Sequence, residues 1–262
     1  VVQEAWLRWA EVGEAAQADV RDPRAYLVRI VTRQALNRLR TQARRREEYV
    51  GPWLPEPLPT DQARGPEETA EQADSLSMAF LVVLESLSPT ERAVFLLREV
   101  FGYDYPEISE IVGRSEANCR QIAHRAKEHI ASRRPRFEAS REQREELMYR
   151  FMAACSLGDM EGLMSILTED ITLFSDGGGR APAARKPVYG GPKVARFLIK
   201  VLQKYPEGYS TRIVSVNGQP AIALYEGDRP TTILSLDMTE DHIQGIHIVV
   251  NPDKLARFTP GS

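Results

Sequence analysis

The chain has 262 residues, 42% of them hydrophobic, and a net charge of -3, which allows two or three small domains and excludes a disordered, fibrous or uniformly basic protein. Two cysteines, with no C-x-x-C and no His/Cys cluster, exclude a disulfide framework and predict no metal. No apolar run of about eighteen residues and no basic-then-apolar leader is present, which predicts a cytoplasmic protein with no membrane segment.

Charge is unevenly placed along the chain. Arg21 to Arg46 holds nine arginines against one acid, and Arg114 to Arg136 seven basic residues against two acids. Glu47 to Asp74, between them, holds eight acids and one base. Val1 to Gly13 sets Val2, Ala5, Trp6 and Trp9 at helical spacing, which predicts a helix packed on that face. The pattern is already under way at Val1, so residues before it are expected. Asp22-Pro23 starts a second helix with Tyr26, Leu27, Ile30, Val31, Ala35, Leu36 and Leu39 inward and Arg29, Arg33, Asn37, Arg38, Arg40 and Arg44 outward. So many arginines on one face repel each other unless an anion such as nucleic acid is bound, although a solvated face is the alternative.

Residues 47–75 have a linker's composition, proline-rich and then acidic. Trp53, Leu54 and Pro55 sit in its proline-rich half, and an exposed indole is costly, so this part is expected to dock on a neighbouring domain. Leu76 to Leu87 reads as an apolar helix. Ser88-Pro89-Thr90-Glu91 is a capping box with proline at the first helical position, followed by an expected apolar stripe of Ala93, Leu96, Leu97 and Val100.

Tyr105 to Lys127 reads as two helices joined at Gly113. Ile108, Ile111 and Val112 face inward on the first, and Cys119, Ile122, Ala123 and Ala126 on the second. Ser115 caps the second helix, whose outer face carries Glu116, Asn118, Arg120, Gln121, His124, Arg125 and Lys127. Arg, Asn and Gln suit base edges, whereas Arg125 and Lys127 suit phosphates. This helix-turn-helix leaves open DNA binding or an ordinary hairpin with a charged face. Arg133-Arg134-Pro135-Arg136 ends the unit.

Beyond a boundary near Phe137, helices at Arg141 to Ser156 and Met160 to Leu167 precede a strand, ITLFSD, a loop, DGGGRAPAARKPVYG, and a helix from Lys193 to Tyr205 closed by Pro206 and Gly208. Four alternating strands follow, with Asn217-Gly218 as a hairpin turn and Thr239-Glu240-Asp241 as another. Three helices on a curved antiparallel sheet are expected. Gly177, Gly178 and Gly179 imply a tightly turned or closely approached backbone, a contact or hinge loop more than a phosphate cradle. Cys119 and Cys155 fall on apolar helical faces and are expected as buried free thiols.

Leu87 to Ile130 resembles the minus-35-binding domain of bacterial extracytoplasmic-function sigma factors. VVQEAWLRW followed by the helix containing ALNRLR is similar to the latter part of the family's polymerase-binding and minus-10 domain. FMAACSLGDMEGLMSILTEDITLFSDGGG, with VYGGPKVARFL, resembles SnoaL-like cones. The resemblance implies four parts: residues 1–46 as partial region 2, residues 47–75 as linker, residues 76–137 as region 4, and residues 138–262 as a SnoaL-like domain. The implied fold is two all-α domains, the second a helix-turn-helix, and an α+β cone.

Implied roles follow the same residues. Gln3, Glu4, Trp6 and Leu7 meet core RNA polymerase, Arg29 to Arg44 the minus-10 element, and Ser115 to Lys127 the minus-35 element. Three motifs recur in the family group with this extension: YVGPWLPEP at Tyr49 to Pro57, DGGG plus a basic residue at Asp176 to Arg180, and NPDKL at Asn251 to Leu255. Arg180 stands where lysine is more frequent. The extension is expected to regulate in cis without a separate anti-sigma factor, docking on the linker near Trp53 and on the helical domains through the DGGGR loop, with Asn251, Pro252 and Asp253 contributing. No cofactor is expected, and a ligand for the cone is not specified. The alternatives are a helix-turn-helix activator, or a catalytic cone using Asp176, His247, Tyr189 and Tyr225.

Overall fold

The computed structural model describes residues 1–12, 20, 22–47, 49–60, 77–131, 141–203, 208–256 and 258, apart from the side chains of 40, 42–47, 79 and 141. The expected acidic half of the linker, the closing Arg133 to Arg136 and the Pro206 helix stop lie outside these residues. The chain divides into two compact units, Val1–Glu48 with Val83–Arg133, and Tyr49–Val82 with Arg134–Ser262.

In the first unit, α1 (Val2–Glu11) packs on α2 (Pro23–Glu47). Ala5 is buried and Trp9 meets Tyr26 at 5.4 Å between ring centroids. Val2 and Trp6, expected on the packed face, are exposed, Trp6 by 64%. The contact is narrower than the apolar stripe, because only the Ala5 and Trp9 side meets α2.

Helix α3 (Met78–Ser86) leads to α4 (Pro89–Phe95), whose capping box is complete: Ser88 Oγ accepts from the Glu91 amide, and Glu91 accepts from the Ser88 amide. A π-helical turn, Leu96–Val100, continues it, and the Phe101 amide reaches back to the Leu96 carbonyl. The extra residue in that turn rotates the pattern. Leu97 is buried alongside Val94 and Phe95 of α4, while Val100, expected inward, is 49% exposed.

Helices α5 (Tyr105–Val112) and α6 (Glu116–Ala131) form the helix-turn-helix. Gly113 takes φ 67°, the left-handed conformation that closes α5, and Ser115 Oγ accepts from the Asn118 amide. Asp104 and Glu107 make a second capping box. Val94, Leu97, Ile108, Ile111, Cys119, Ile122 and Ala123 form the core, and Val28 of α2 packs against it.

The second unit sets α7 (Arg141–Leu157), α8 (Met160–Ile166) and α9 (Gly191–Leu202) on one face of a six-stranded sheet. Strand order is β2-β1-β6-β5-β4-β3, with β1 Leu167–Asp176, β2 Val188–Tyr189, β3 Tyr209–Val216, β4 Gln219–Glu226, β5 Arg229–Met238 and β6 Ile243–Val249. The sheet is mixed rather than antiparallel: β1 runs parallel to β6. Strand alternation specifies which side chains share a face but not which neighbour a distant strand chooses. Asn217 (φ 54°) and Gly218 (φ 76°) make the expected hairpin turn.

The opposite face carries a second core of Val216, Ala221, Ala223, Tyr225, Ile233 and Val249. It is completed by Leu54 from the linker, Val82 of α3, and Leu255 of the short helix α10 (Pro252–Leu255). Leu54 is 1% exposed; burying a leucine this completely contributes about 1.5–3 kcal/mol. Trp53 is half-buried and Pro55 buried, so Tyr49 to Thr60 is a docked strap.

Candidate functional site

Asp176, at the end of β1, is 0% exposed and its carboxylate is fully engaged. One oxygen accepts from Lys254 Nζ at 2.6 Å and from the Leu54 amide at 2.8 Å. The other accepts from the Tyr49 hydroxyl at 2.5 Å and the Gly178 amide at 3.1 Å. Lys254 also donates to the Leu54 carbonyl and lies 3.9 Å from the centroid of the Trp53 ring. Asn251 Nδ2 donates to the Tyr49 hydroxyl at 2.8 Å. A buried ion pair needs partners for its remaining lone pairs and protons, and the strap backbone supplies them.

Burial, then the hydrogen bond to Asp176 and its charge, push the Tyr49 hydroxyl well above an ordinary phenol, so it stays a donor. Gly178 and Gly179 lie in the left-handed region, at φ 59° and 73°. A Cβ on Gly178 would overlap Asn251 and crowd Tyr49, one on Gly177 would overlap the Ala181 carbonyl, and one on Gly179 would press on Val50. The glycines thus bring the loop's backbone against the strap. Arg180 pairs with Asp253 at 2.9 Å, and the Asp253 amide donates to Asn251 Oδ1. Farther along, the Thr60 amide donates to the Ser215 carbonyl, the Asn217 amide to the Leu58 carbonyl, and Pro59 bridges Val216. The strap therefore lies along the end of β3, the outermost strand.

The structure brings all three sequence motifs into one network. Tyr49 and Lys254, which close it, were legible only as members of the motifs. The signal for Lys254 was a lysine between Asp253 and Leu255 in a proline-started helical turn, and for Tyr49 an aromatic hydroxyl four residues before Trp53.

The catalytic alternative rests on four side chains. None of Asp176, His247, Tyr189 and Tyr225 lines the cavity of this unit, and Tyr189 is 61% exposed. His247 stacks on Phe174 at 5.6 Å and faces Asp237 at 3.5 Å.

In the first unit the α6 outer face is exposed at Glu116, Arg120, Gln121, His124, Arg125 and Lys127, with Asn118 half-buried and Ser115 exposed at the turn. Arg120 pairs with Glu116, Lys127 with Glu99 and His124 with Glu128. On α2, Arg33, Asn37 and Arg38 are exposed; the side chains of Arg40 and Arg44 lie outside the described residues. Arg29 instead reaches Glu110 of α5 at 2.8 Å. Gln3, Glu4, Trp6 and Leu7 are all exposed on α1.

Residues 1–45 match the family model described as Sigma-70 region 2, and residues 77–130 the model described as Sigma-70, region 4. "ECF RNA polymerase sigma factor SigJ" of Mycobacterium tuberculosis (strain ATCC 25618 / H37Rv) is 34% identical over 266 residues, covering 97% of this chain and 84% of the relative. The chain belongs to the ECF RNA polymerase sigma factors. A second relative, "Probable ECF RNA polymerase sigma factor SigI" of Mycobacterium tuberculosis (strain ATCC 25618 / H37Rv), is 29% identical over 261 residues, covering 97% of this chain and 85% of the relative. The crystal structure of Mycobacterium tuberculosis SigJ superposes with a TM-score of 0.75 at 32% identity, covering 99% of this chain and 89% of that one. This sigma factor directs core RNA polymerase to promoters, so its partners are that enzyme and promoter DNA. Its helical sigma regions are followed by an α+β domain with a six-stranded mixed sheet. Among the described residues, no helix of this sigma factor is long and apolar enough to cross a membrane.

Proposed function

We propose that the SnoaL-like domain regulates this sigma factor in cis by clamping the connection between regions 2 and 4. The observation that carries it is the Asp176–Lys254 pair sealed beneath Leu54 and Tyr49. Promoter reading needs the minus-10 and minus-35 readers to separate by a defined distance. Immobilising Tyr49 to Thr60 withdraws about 40 Å of extended chain from the tether that permits this. A docked strap therefore opposes promoter engagement, and a released strap favours it.

The roles of individual residues follow from exposure and chemistry. Arg33, Asn37 and Arg38, with Arg29 once freed from Glu110, meet the minus-10 DNA. Arg120, Gln121 and Asn118 read minus-35 base edges while Arg125 and Lys127 hold phosphates. Gln3, Glu4, Trp6 and Leu7 dock on polymerase in the cytoplasm. The third domain acts by binding rather than turnover and takes the place of a separate anti-sigma factor. In support, Asp176, the carboxylate a catalytic cone would use, already accepts four donors.

The test is promoter-directed transcription with purified core polymerase. Leu54→Asp, which expels the strap, and Trp53→Ala are expected to raise initiation from a cognate promoter above that of the unaltered chain. Unchanged or reduced initiation by folded variants would sink the clamp while leaving sigma activity itself intact.

A further inference from the structure

The second unit carries a cavity open to solvent on one side, of about 920 Å³, at the upper end of the range of small-molecule sites, about 300–1,000 Å³. Its walls are apolar: Phe197 and Val201 of α9, Ile248 of β6, Leu255 of α10, and Phe258. Two buried hydroxyl residues of the sheet, Ser175 and Thr232, also line it. Tyr209, Thr231, Arg180 and Arg229 add further polar groups, and no Asp or Glu stands with them among the described lining residues. Both arginines are solvent-exposed, which puts them at the rim, and Arg229 makes no ion pair among the described residues.

This distribution selects a ligand class. Apolar walls do not replace the hydration of a small inorganic anion, and two guanidinium groups, of which only Arg180 is paired with a carboxylate, leave a net positive rim that disfavours a cation. We propose that the cavity binds an amphipathic organic acid, its hydrocarbon body against Phe197, Val201 and Ile248 and its carboxylate at the arginine rim. Guanidinium and carboxylate are matched in shape and charge, so the rim orients the acid as well as attracting it.

The site is coupled to the clamp through α10. Leu255 lines the cavity, Lys254 holds the strap, and Asp253 pairs with Arg180. A ligand carboxylate competes with Asp253 for Arg180 and loosens the end of the helix that carries Lys254. This coupling rests on the strap reading above; binding itself does not.

The probe is decanoate, titrated into the full chain by calorimetry, with decanol as the uncharged control. One saturable site is expected, weakened about tenfold by Arg180→Gln and by Arg229→Gln, and lost in Val201→Trp, which fills the space. The two arginine variants lie on the surface, so their folding is secure even if the tryptophan variant fails. No saturation by about 1 mM, or affinity unchanged in the double arginine variant, overturns the site. In the second arm, decanoate is expected to speed hydrogen exchange at the Leu54 amide. Binding without that change overturns the coupling and leaves the site standing, whereas failure of the clamp itself appears separately in Leu54→Asp transcription.

Discussion

Lys254 is a lysine only 9% exposed, and the group it neutralises is fully buried. Removing one member of such a pair leaves the other's charge uncompensated, which costs about 3–5 kcal/mol. Lys254→Met is therefore expected to speed exchange of the Leu54 amide by at least about a hundredfold, read by hydrogen exchange. Tyr49 gives a pH signature. In the released strap its hydroxyl titrates near pH 10, and in the docked strap burial and Asp176 hold the proton to higher pH. Above about pH 10 only the released form loses the proton, so docking weakens as pH rises, by up to about tenfold per unit. Trp53 fluorescence against pH checks this, and Tyr49→Phe is expected to abolish that dependence. Burial pushes the Cys155 thiol up to about 12 and raises Cys119 as well. Both cysteines are free and buried, so neither is expected to react with a thiol reagent at pH 8 until the chain unfolds.

Helix ends and faces divide according to how local their causes are. The Ser88 capping box and the left-handed Gly113 were legible because each is settled within a few residues. The Asp104 to Glu107 box has the same form, and Asp104→Ala is expected to cost about 1 kcal/mol, measurable by urea unfolding of the first unit. The inward face of Leu96–Val100 was not legible, because a π-helical turn shifts the period that the reading relied on. Nor was the parallel pairing of β1 with β6, which lie far apart in the chain, or the choice of Arg29 for Glu110. That choice has a consequence at the level of elements: α2, which lies within the region 2 match, packs on α5 with Val28 in the helix-turn-helix core. Val28→Asp is expected to separate the two sigma regions, seen as a larger radius in small-angle scattering.

At the scale of the molecule, the three motifs form a single lock whose key parts lie in the linker, the β1 loop and α10. That they are motifs came from the family resemblance, and the expectation that Trp53 docks from the cost of exposing an indole. Their mutual contacts could not be read from the sequence, since Tyr49 and Lys254 are some two hundred residues apart and nothing local pairs them. The lock has a further effect at the far end of the strap, where Leu58 to Thr60 pair with Ser215 to Asn217. An uncovered border strand offers free amides and carbonyls to any similar strand nearby. In the clamp reading, release of the strap frees Ser215 to Asn217 and so extends the open edge of β3 at its far end. If release of the strap is what frees promoter activity, the active form is also the one with the longer exposed strand edge.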